Sequence, residues 1–351
     1  MTANSAAHIK SLDGIRAVAA LMVFVAHAGL DGVVPGGFGV TIFFFLSGYL
    51  ITTLLRVEYA THGHISLARF YLRRVYRILP PMYIALGVAA ILAAVAGTLG
   101  SVTRGAVIAQ LLQVTNYYII IAGDQHLVPY TDAMWSLSVE EHFYLVYPLA
   151  LLVMLPRFDR RRIGQILLGG CALVLAWRCC LNSLLHFGSD YSYMATDARF
   201  DSILFGCTMG IAFNPALASD PGLSARQWAI ALAAGAALLL GSLLYREPAF
   251  RETFRYTVQG VGLTPVFYCA IRFPQWPMFR WLEWRAMRNL GLISYTFYLI
   301  HFTTLGLAER LLGSSGLLRA GLAFALAVGF SWLIYLLVER RLAQLRRHLH
   351  A

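Results

Sequence analysis

The sequence predicts an all-α integral membrane protein with about ten transmembrane helices. Of its 351 residues, 59% are hydrophobic and only 13% are charged, whereas soluble domains carry about 25% charged residues. Several stretches contain almost no charge, among them 78–99, 227–245 and 319–338. Each has about 20 residues, the length at which a helix crosses a hydrocarbon core of roughly 30 Å.

Eleven apolar segments can be marked along the chain: 14–30, 38–55, 78–98, 105–122, 136–156, 163–185, 201–214, 227–245, 256–271, 289–309 and 319–338. If all crossed, the basic loop 56–77 would lie across the bilayer from the basic segments 157–162 and 339–351. The conflict disappears if the segment 105–122 does not cross the bilayer. The amide side chains and tyrosines in this segment favour that interpretation. Ten spans then put most of the 28 Lys and Arg residues on one side, and this bias predicts cytoplasmic N- and C-termini.

Composition also narrows the possible partners. The formal charge of +11 comes almost entirely from arginine, since Lys10 is the only lysine. Arginine collects in the cytoplasmic loops of membrane proteins, so membrane lipids are predicted as partners and nucleic acid is not. The five cysteines fall in apolar stretches without metal-ligand spacing, so neither a disulfide framework nor a metal site is predicted. A single transmembrane domain is predicted over 1–351; the sequence gives no indication of oligomeric state.

Ionisable residues within predicted spans are candidates for function, because burying them in lipid is costly. The first span carries Asp13, Arg16 and His27. Asp13 and Arg16 are three residues apart and share a helix face. Arg16 and His27 are eleven apart, close to three full turns, which separates them by about 16 Å along one face. A neutral imidazole there could act as a general base, or it could simply be a buried histidine bonded to a carbonyl.

The next two blocks each allow two interpretations. Ser47 and Gly48, in the second span, favour either close helix packing or a narrow channel wall where a ligand passes. Arg73, Arg74 and Arg77 precede the third span and project together if that stretch is helical. Three guanidinium groups at the inner face suit a phosphorylated nucleotide, although membrane anchoring or lipid head-group binding would also explain them.

Later blocks contain further polar groups. Ser138 is a candidate cap for the following helix, with Glu140 and Glu141 in its first turn. Adjacent acids face different directions, so one of these two is expected to point into the bundle. Asp197, Arg199 and Asp201 cluster at a predicted outer boundary, where ion pairs among them are expected. His301 lies mid-span, with Ser294 and Tyr298 on roughly the same face.

Taken in order, these blocks closely resemble the acyltransferase-3 family of membrane-bound O-acyltransferases. The matching stretches are LDGIR from Leu12 with His27, GVTIFFFLSGYLI from Gly39, FYLRRVYRILP from Phe70, WSLSVEEHFYLVYP from Trp135, Thr196 to Gly206, Gly291 to His301 with Tyr295 and Tyr298, and Val338-Glu339-Arg340. Each block alone is weak, but the ordered set is specific and covers the chain from about residue 8 to 345.

The resemblance implies ten membrane helices with cytoplasmic termini in a bacterial inner membrane. It implies acyl transfer, with acetyl as the default group, from acyl-coenzyme A to a hydroxyl of a carbohydrate or glycosylated acceptor. Acyl-coenzyme A is a co-substrate, and no permanently bound cofactor or metal is expected. Thr41 departs from the family, where many members have Asp, and this difference could alter acceptor preference. Many relatives carry an extracytoplasmic hydrolase-like domain, and this chain is expected to have none.

The resemblance also assigns roles. It implies that Arg16 and His27 are essential and gives Glu140 a family counterpart. With Asp13, on the same helix face as Arg16, these are the predicted catalytic residues, and His27 is the predicted general base. The donor would bind Arg73, Arg74 and Arg77 and pass Ser47 and Gly48. The acceptor or channel candidates are Glu141, Arg199, Asp201, Tyr295, Tyr298 and His301.

Three alternatives stay open. The first is a transporter or flippase that uses His27, Glu140 and His301 as a proton relay. The second is a covalent acyl-histidine relay, and the third is a sensor that keeps the fold without catalysis.

Overall fold

The computed structural model describes residues 9–185, 187–218, 222–313 and 316–347, and every secondary-structure element in these ranges is helical. The first half of the chain forms α1 (Lys10–Val25), α2 (Gly36–His62), α3 (Leu67–Val95), α4 (Arg104–Leu111), α5 (Thr115–Ala122), α6 (Met134–Met154), α7 (Arg160–Ser183) and α8 (Ser189–Met194). The second half forms α9 (Thr196–Ala212), α10 (Ala225–Leu244), α11 (Pro248–Glu252), α12 (Arg255–Arg272), α13 (Pro277–Arg280), α14 (Arg285–Leu312), α15 (Leu317–Ile334) and α16 (Arg340–Arg347).

Eight of the described helical segments are long and apolar enough to cross a bilayer: α1 with the turn after it (Lys10–Leu30), α2, α3, α6, α7, α10, α14, and α15 continued into α16 (Leu317–Leu345). The chain is therefore a multi-pass membrane protein. The predicted spans at 201–214 and 256–271 correspond to α9 and α12, with 17 and 18 residues, which fall outside that set. The count of ten spans and the cytoplasmic termini remain predictions.

The predicted non-crossing segment 105–122 is divided between two short helices. α4 and α5 each contain eight residues, about 12 Å of helix. They are joined through Gln113, whose positive φ of 59° ends the first helix. Neither helix alone is long enough for a hydrocarbon core of roughly 30 Å.

The arginine-rich stretch before the third predicted span is helical, which is the condition on which its arginines were expected to project together. α3 begins at Leu67 and continues for 29 residues, about 43 Å at the usual helical rise. This exceeds the hydrocarbon core by more than 10 Å. Arginine is a good helix former, so the basic run extends the helix rather than ending it.

Two compact units make up the described chain. The first contains α1 up to Ala19, Gly37–Ile65 and Val139–Arg288. Within it, α2 and α9 approach closely through paired glycines. A Cβ at Gly48 would overlap the carbonyl of Ile203, and one at Gly206 would overlap the carbonyl of Phe45. Small residues permit this backbone-to-backbone packing in lipid.

The second unit contains Ala20–Gly36, Ser66–Ser138 and the chain from Asn289 onward. An aromatic cluster joins the end of α1 to α14 and α15 within this unit. Phe24 lies 5.5 Å from both Phe297 and Phe324, measured between ring centroids, and Phe297 lies 5.8 Å from Phe324. Phe24 precedes His27 by one turn and Phe297 precedes His301 by one turn. The cluster therefore fixes the two helix segments that carry these histidines.

Candidate active site

His27 lies where α1 changes its helix type. The helix ends in a π-helical turn, Ala26–Leu30, that contains Gly29 at a φ of 115°. Such a φ is readily available only to glycine, and π turns often occur at functional sites. Arg319 donates a hydrogen bond of 3.1 Å from Nη2 to the carbonyl of Ala28. Gly29 and Arg319 therefore shape the turn that presents His27.

The structure brings His27 and His301 together, although they are 274 residues apart in sequence. His27 Nδ1 lies 2.9 Å from His301 Nε2, and the ring planes are nearly parallel at 15°. The ring of Phe302 lies 4.3 Å from His27 and 4.4 Å from His301, between centroids. Two predicted site residues thus form a hydrogen-bonded pair against an aromatic ring.

The two imidazoles differ in how much protein covers them. His301 is 1% exposed, whereas His27 is exposed. His301 Nδ1 lies 2.5 Å from the carbonyl oxygen of Tyr298 in the preceding turn. One ring of the pair is therefore held by the backbone of α14, and the other reaches the surface of the protein.

Tyr295 and Tyr298 use their hydroxyls within the protein. Tyr298 Oη lies 2.7 Å from Ser136 Oγ, and Tyr295 Oη donates to the carbonyl of Ile78 at 2.9 Å. These bonds attach α14 to the start of α6 and to α3. They fix the orientation of the helix that carries His301.

Asp13 and Arg16 form the local pair that their spacing predicts. Arg16 Nη1 lies 3.2 Å from Asp13 Oδ1, and the side chains are 18% and 12% exposed. The pair spans one turn of α1. It holds the Arg16 guanidinium close to the helix.

Glu140 is the centre of a second polar cluster. It accepts a bond of 3.1 Å from Ser47 Oγ and one of 2.9 Å from Tyr144 Oη, and Ser47 Oγ lies 3.0 Å from Tyr144 Oη. Glu140 and Glu141 are both half-buried. Sequence reasoning missed Tyr144, although its position four residues after Glu140 on a helix was a usable signal.

One prediction near this cluster was wrong, and one of two open interpretations is confirmed. Ser138 does not cap α6, because the helix begins earlier, at Met134. Ser138 Oγ instead accepts a bond of 3.1 Å from the backbone N–H of Thr115. Gly48 is a packing contact rather than a channel wall, since the backbone of α9 occupies the space beside it. Glu140 and Glu141 consequently lie in the second turn of α6.

Arg73, Arg74 and Arg77 lie in the first three turns of α3. The spacing of three and four residues places them on neighbouring positions of one helix face, and all three are half-buried. The Arg74 guanidinium lies 5.5 Å from the centroid of the Phe70 ring. A face with three guanidinium groups can bind several phosphate oxygens.

Among the ion pairs expected of Asp197, Arg199 and Asp201, the partner of Asp201 needs correction. Asp201 forms its ion pair with Arg178, at 2.6 Å between Nη2 and Oδ2. Arg199 donates to the Tyr193 carbonyl at 2.8 Å and to Thr41 Oγ1 at 3.1 Å. Arg199 and Asp201 are each 0% exposed. Their contacts connect helices within the first unit, and their role as acceptor or channel residues stays a prediction.

Among groups outside the membrane-spanning helices, Asp132 has a perturbed carboxyl. Burial raises the pKa of Asp132 above its ordinary value, and the charge of Asp124 adds to the effect. Asp132 lies in the loop before α6.

No group of three potential metal-ligating side chains occurs within the described ranges.

Sequence reasoning missed Arg319 and Phe302. Arg319 reaches a backbone carbonyl 291 residues away in sequence, and no local pattern reports such a contact. Phe302 follows a predicted site residue directly, but an aromatic residue in an apolar helix carries no distinctive signal. The contacts of both residues depend on how distant helices meet.

Comparison with known proteins gives a family match over nearly the whole chain. The acyltransferase-3 family, described as "Acyltransferase domain", matches residues 9–336. The peptidoglycan O-acetyltransferase OatA of Listeria monocytogenes is 28% identical over 330 residues, covering 89% of this chain and 51% of that protein. The putative peptidoglycan O-acetyltransferase YrhL of Bacillus subtilis is 28% identical, covering 86% of this chain and 49% of that protein.

A putative O-acetyltransferase of Staphylococcus aureus is 32% identical over 225 residues, covering 61% of this chain and 36% of that protein. The chain thus spans about half the length, or less, of the curated relatives it matches. No solved structure matches it significantly.

Proposed function

The chain belongs to the acyltransferase-3 family, and on that premise we propose that it transfers an acetyl group from acetyl-coenzyme A to a hydroxyl of a cell-envelope carbohydrate. The match over residues 9–336 carries this proposal. The two relatives named as peptidoglycan O-acetyltransferases make a glycan hydroxyl the first acceptor to test. The relatives' names describe acetyl transfer, so the transporter alternative gains no support from them. The proposed location is a bacterial inner membrane.

The donor is proposed to bind at the start of α3. Coenzyme A carries several phosphate charges, and Arg73, Arg74 and Arg77 offer three guanidinium groups on one face. Because α3 is longer than a bilayer core, its first turns can project beyond the lipid toward a water-soluble ligand. The proposed cytoplasmic side follows from the positive-inside rule.

His27 is proposed as the general base. Its ring is exposed, while its Nδ1 is bonded to His301. As the acceptor oxygen attacks the thioester carbonyl, the acceptor O–H gives its proton to His27. The new C–O ester bond forms, the C–S bond breaks, and the thiolate of coenzyme A takes up the proton from His27. General base catalysis of this kind contributes about 10²–10⁴-fold in rate.

Two polar groups of the first unit keep proposed roles of their own. Asp13 orients Arg16 through the bond of 3.2 Å, and both are proposed as catalytic residues. Glu140 fixes the hydroxyls of Ser47 and Tyr144; Glu140 is proposed to take part in catalysis and Ser47 in donor binding.

The direct test is the chemical state of the envelope glycans. Wild-type protein and His27→Ala would be produced at equal levels in a host that lacks the gene, and glycan acetyl esters would be measured by mass spectrometry. The proposal expects alkali-labile acetylation only with the wild type, beginning with peptidoglycan. Identical glycan profiles with wild type, variant and empty vector would contradict it.

A further inference from the structure

The contacts of the histidine pair determine which of its ring nitrogens carry a proton. A neutral imidazole carries one N–H, so one ring nitrogen donates and the other accepts. A backbone carbonyl can only accept. The contact of 2.5 Å between His301 Nδ1 and the Tyr298 carbonyl therefore requires a proton on His301 Nδ1.

The tautomer of His301 in turn determines the tautomer of His27. His301 is 1% exposed, and an isolated charge in such a place is costly, so the ring is neutral and its Nε2 is an acceptor. His27 Nδ1 lies 2.9 Å from that Nε2 and must therefore be the donor. A neutral His27 then has its lone pair on Nε2, at the exposed end of the pair.

We propose that His301 is a positioning residue that fixes His27 as the Nδ1–H tautomer, so that His27 Nε2 is the atom that takes the acceptor's proton. The inference deepens the proposed function and rests on it. His301 is not expected to change its own protonation during transfer. When His27 becomes doubly protonated, its Nδ1–H bond to His301 becomes charge-assisted and stronger.

Neighbouring contacts explain why the arrangement is rigid. Phe302 covers one side of both rings, and Ser136 holds Tyr298 by its hydroxyl. The carbonyl that orients His301 belongs to the backbone of α14 and cannot rotate away. The chain from Tyr298 through His301 to His27 therefore sets both ring orientation and tautomer, as partners behind metal-bound histidines do.

Two substitutions separate positioning from structure. His301→Gln places an amide oxygen near the Nε2 position and keeps an acceptor for His27 Nδ1–H. His301→Phe keeps a buried ring but removes the acceptor. We expect the Phe variant to lose about 10–100-fold in kcat, the effect typical of removing a partner that orients a histidine. The Gln variant should stay within several-fold of wild type, and the exposed control His62→Gln should be unchanged.

The tautomer itself can be observed without any activity. Protein labelled with 15N-histidine would be reconstituted in lipid nanodiscs, with the His27 signals assigned by comparison with His27→Gln. Wild type and His301→Gln should show the ring proton of His27 on Nδ1, and His301→Phe should show a mixture of tautomers. A proton on Nε2 in the wild type, or an unchanged tautomer in the Phe variant, would overturn the inference.

The tautomer measurement and the transfer assay test separate statements. Absence of acetyl transfer by the wild type would refute the proposed function while the tautomer measurement still reported on the pair. Wild-type kcat in a folded His301→Phe protein would refute the positioning role while leaving acetyl transfer established.

Discussion

Two polar pairs in this protein, Arg178–Asp201 and His27–His301, look alike in sequence and differ in structure. Both arise from polar residues in apolar helices. Arg178 and Asp201 are both 0% exposed and are joined by two bonds of 2.8 and 2.6 Å. The histidine pair is bonded on one side and exposed on the other.

All five N–H groups of Arg178 have acceptors. Two point to Asp201, and the others donate to the carbonyls of Thr253 and Ala198 and to Thr257 Oγ1. A guanidinium has five donors in total, so none remains for a substrate. His27 Nε2 lies at the exposed end of its pair. The comparison indicates that a saturated buried pair stabilises the fold, whereas a pair with one open end can do chemistry.

The largest expected effect on stability comes from breaking the saturated pair. Arg178→Met leaves Asp201 buried without its partner, which typically costs 3–5 kcal/mol. Thermal unfolding of the purified protein in detergent would measure this loss. The double variant Arg178→Met with Asp201→Leu should recover much of it, because apolar replacement of both partners is often tolerated. If Arg178→Met were as stable as the wild type, the Arg178–Asp201 pair would not stabilise the fold.

The largest expected effect on activity comes from the open pair. His27→Ala should lower kcat by about 10²–10⁴-fold. It should lower the free energy of unfolding by no more than about 1–3 kcal/mol, the cost of leaving the buried His301 Nε2 without its donor. Acetyl-transfer kinetics and melting curves on the same preparation would test both parts. His62→Ala, at another exposed histidine, serves as the control. Transfer within a few-fold of wild type would show that the base lies elsewhere.

A smaller effect is expected at the proposed donor site, where charges meet a ligand at the end of a helix. Arg74→Ala and Arg77→Ala should each weaken acetyl-coenzyme A binding by about 1–3 kcal/mol, the usual range for bonds to charged groups. Lysine should restore only part, because it lacks the planar fork. Binding measurements with Arg161→Ala, an exposed arginine elsewhere, provide the control. Equal affinity of wild type for coenzyme A and its dephosphorylated form would contradict phosphate recognition here.

The smallest effect is expected at Tyr298, where the backbone carbonyl and the side-chain hydroxyl have different partners. His301 bonds to the backbone carbonyl of Tyr298, whereas the hydroxyl bonds to Ser136. Tyr298→Phe removes the hydroxyl, which also donates to the Ala133 carbonyl at 3.3 Å, and keeps the backbone carbonyl. Each hydrogen bond of this kind contributes about 1 kcal/mol. Transfer rates should stay within several-fold of wild type. A loss as large as that of His27→Ala would mean that the hydroxyl itself takes part in the reaction.

Local features of the sequence predicted local structure well. The apolar segments predicted a membrane helix bundle. The three-residue spacing of Asp13 and Arg16 predicted a shared helix face, and the two side chains form an ion pair there. α3 begins before the predicted span 78–98, since the arginines that precede the span favour helix. Ser138 was taken for a cap because its residue type suits one, but the tertiary structure starts the helix a turn earlier.

Contacts between distant helices could not be predicted from spacing. Arg178 and Asp201 are 23 residues apart and on separate helices, so Asp201 was paired with its sequence neighbour Arg199. His27 and His301 were both candidates, yet nothing in either segment indicated that their rings meet. Gly48 allowed either packing or a passage, and only the position of α9 decided between them.

The central claim is that this chain catalyses acetyl transfer through the open end of its histidine pair. The most direct measurement uses purified protein in lipid nanodiscs, acetyl-coenzyme A with a radiolabelled acetyl group, and solubilised peptidoglycan strands. We expect equal amounts of released thiol and labelled glycan ester, both requiring the glycan and both nearly absent with His27→Ala. Thiol release that ignores the glycan, ester formation that ignores His27, or no transfer at all to envelope glycans would contradict it.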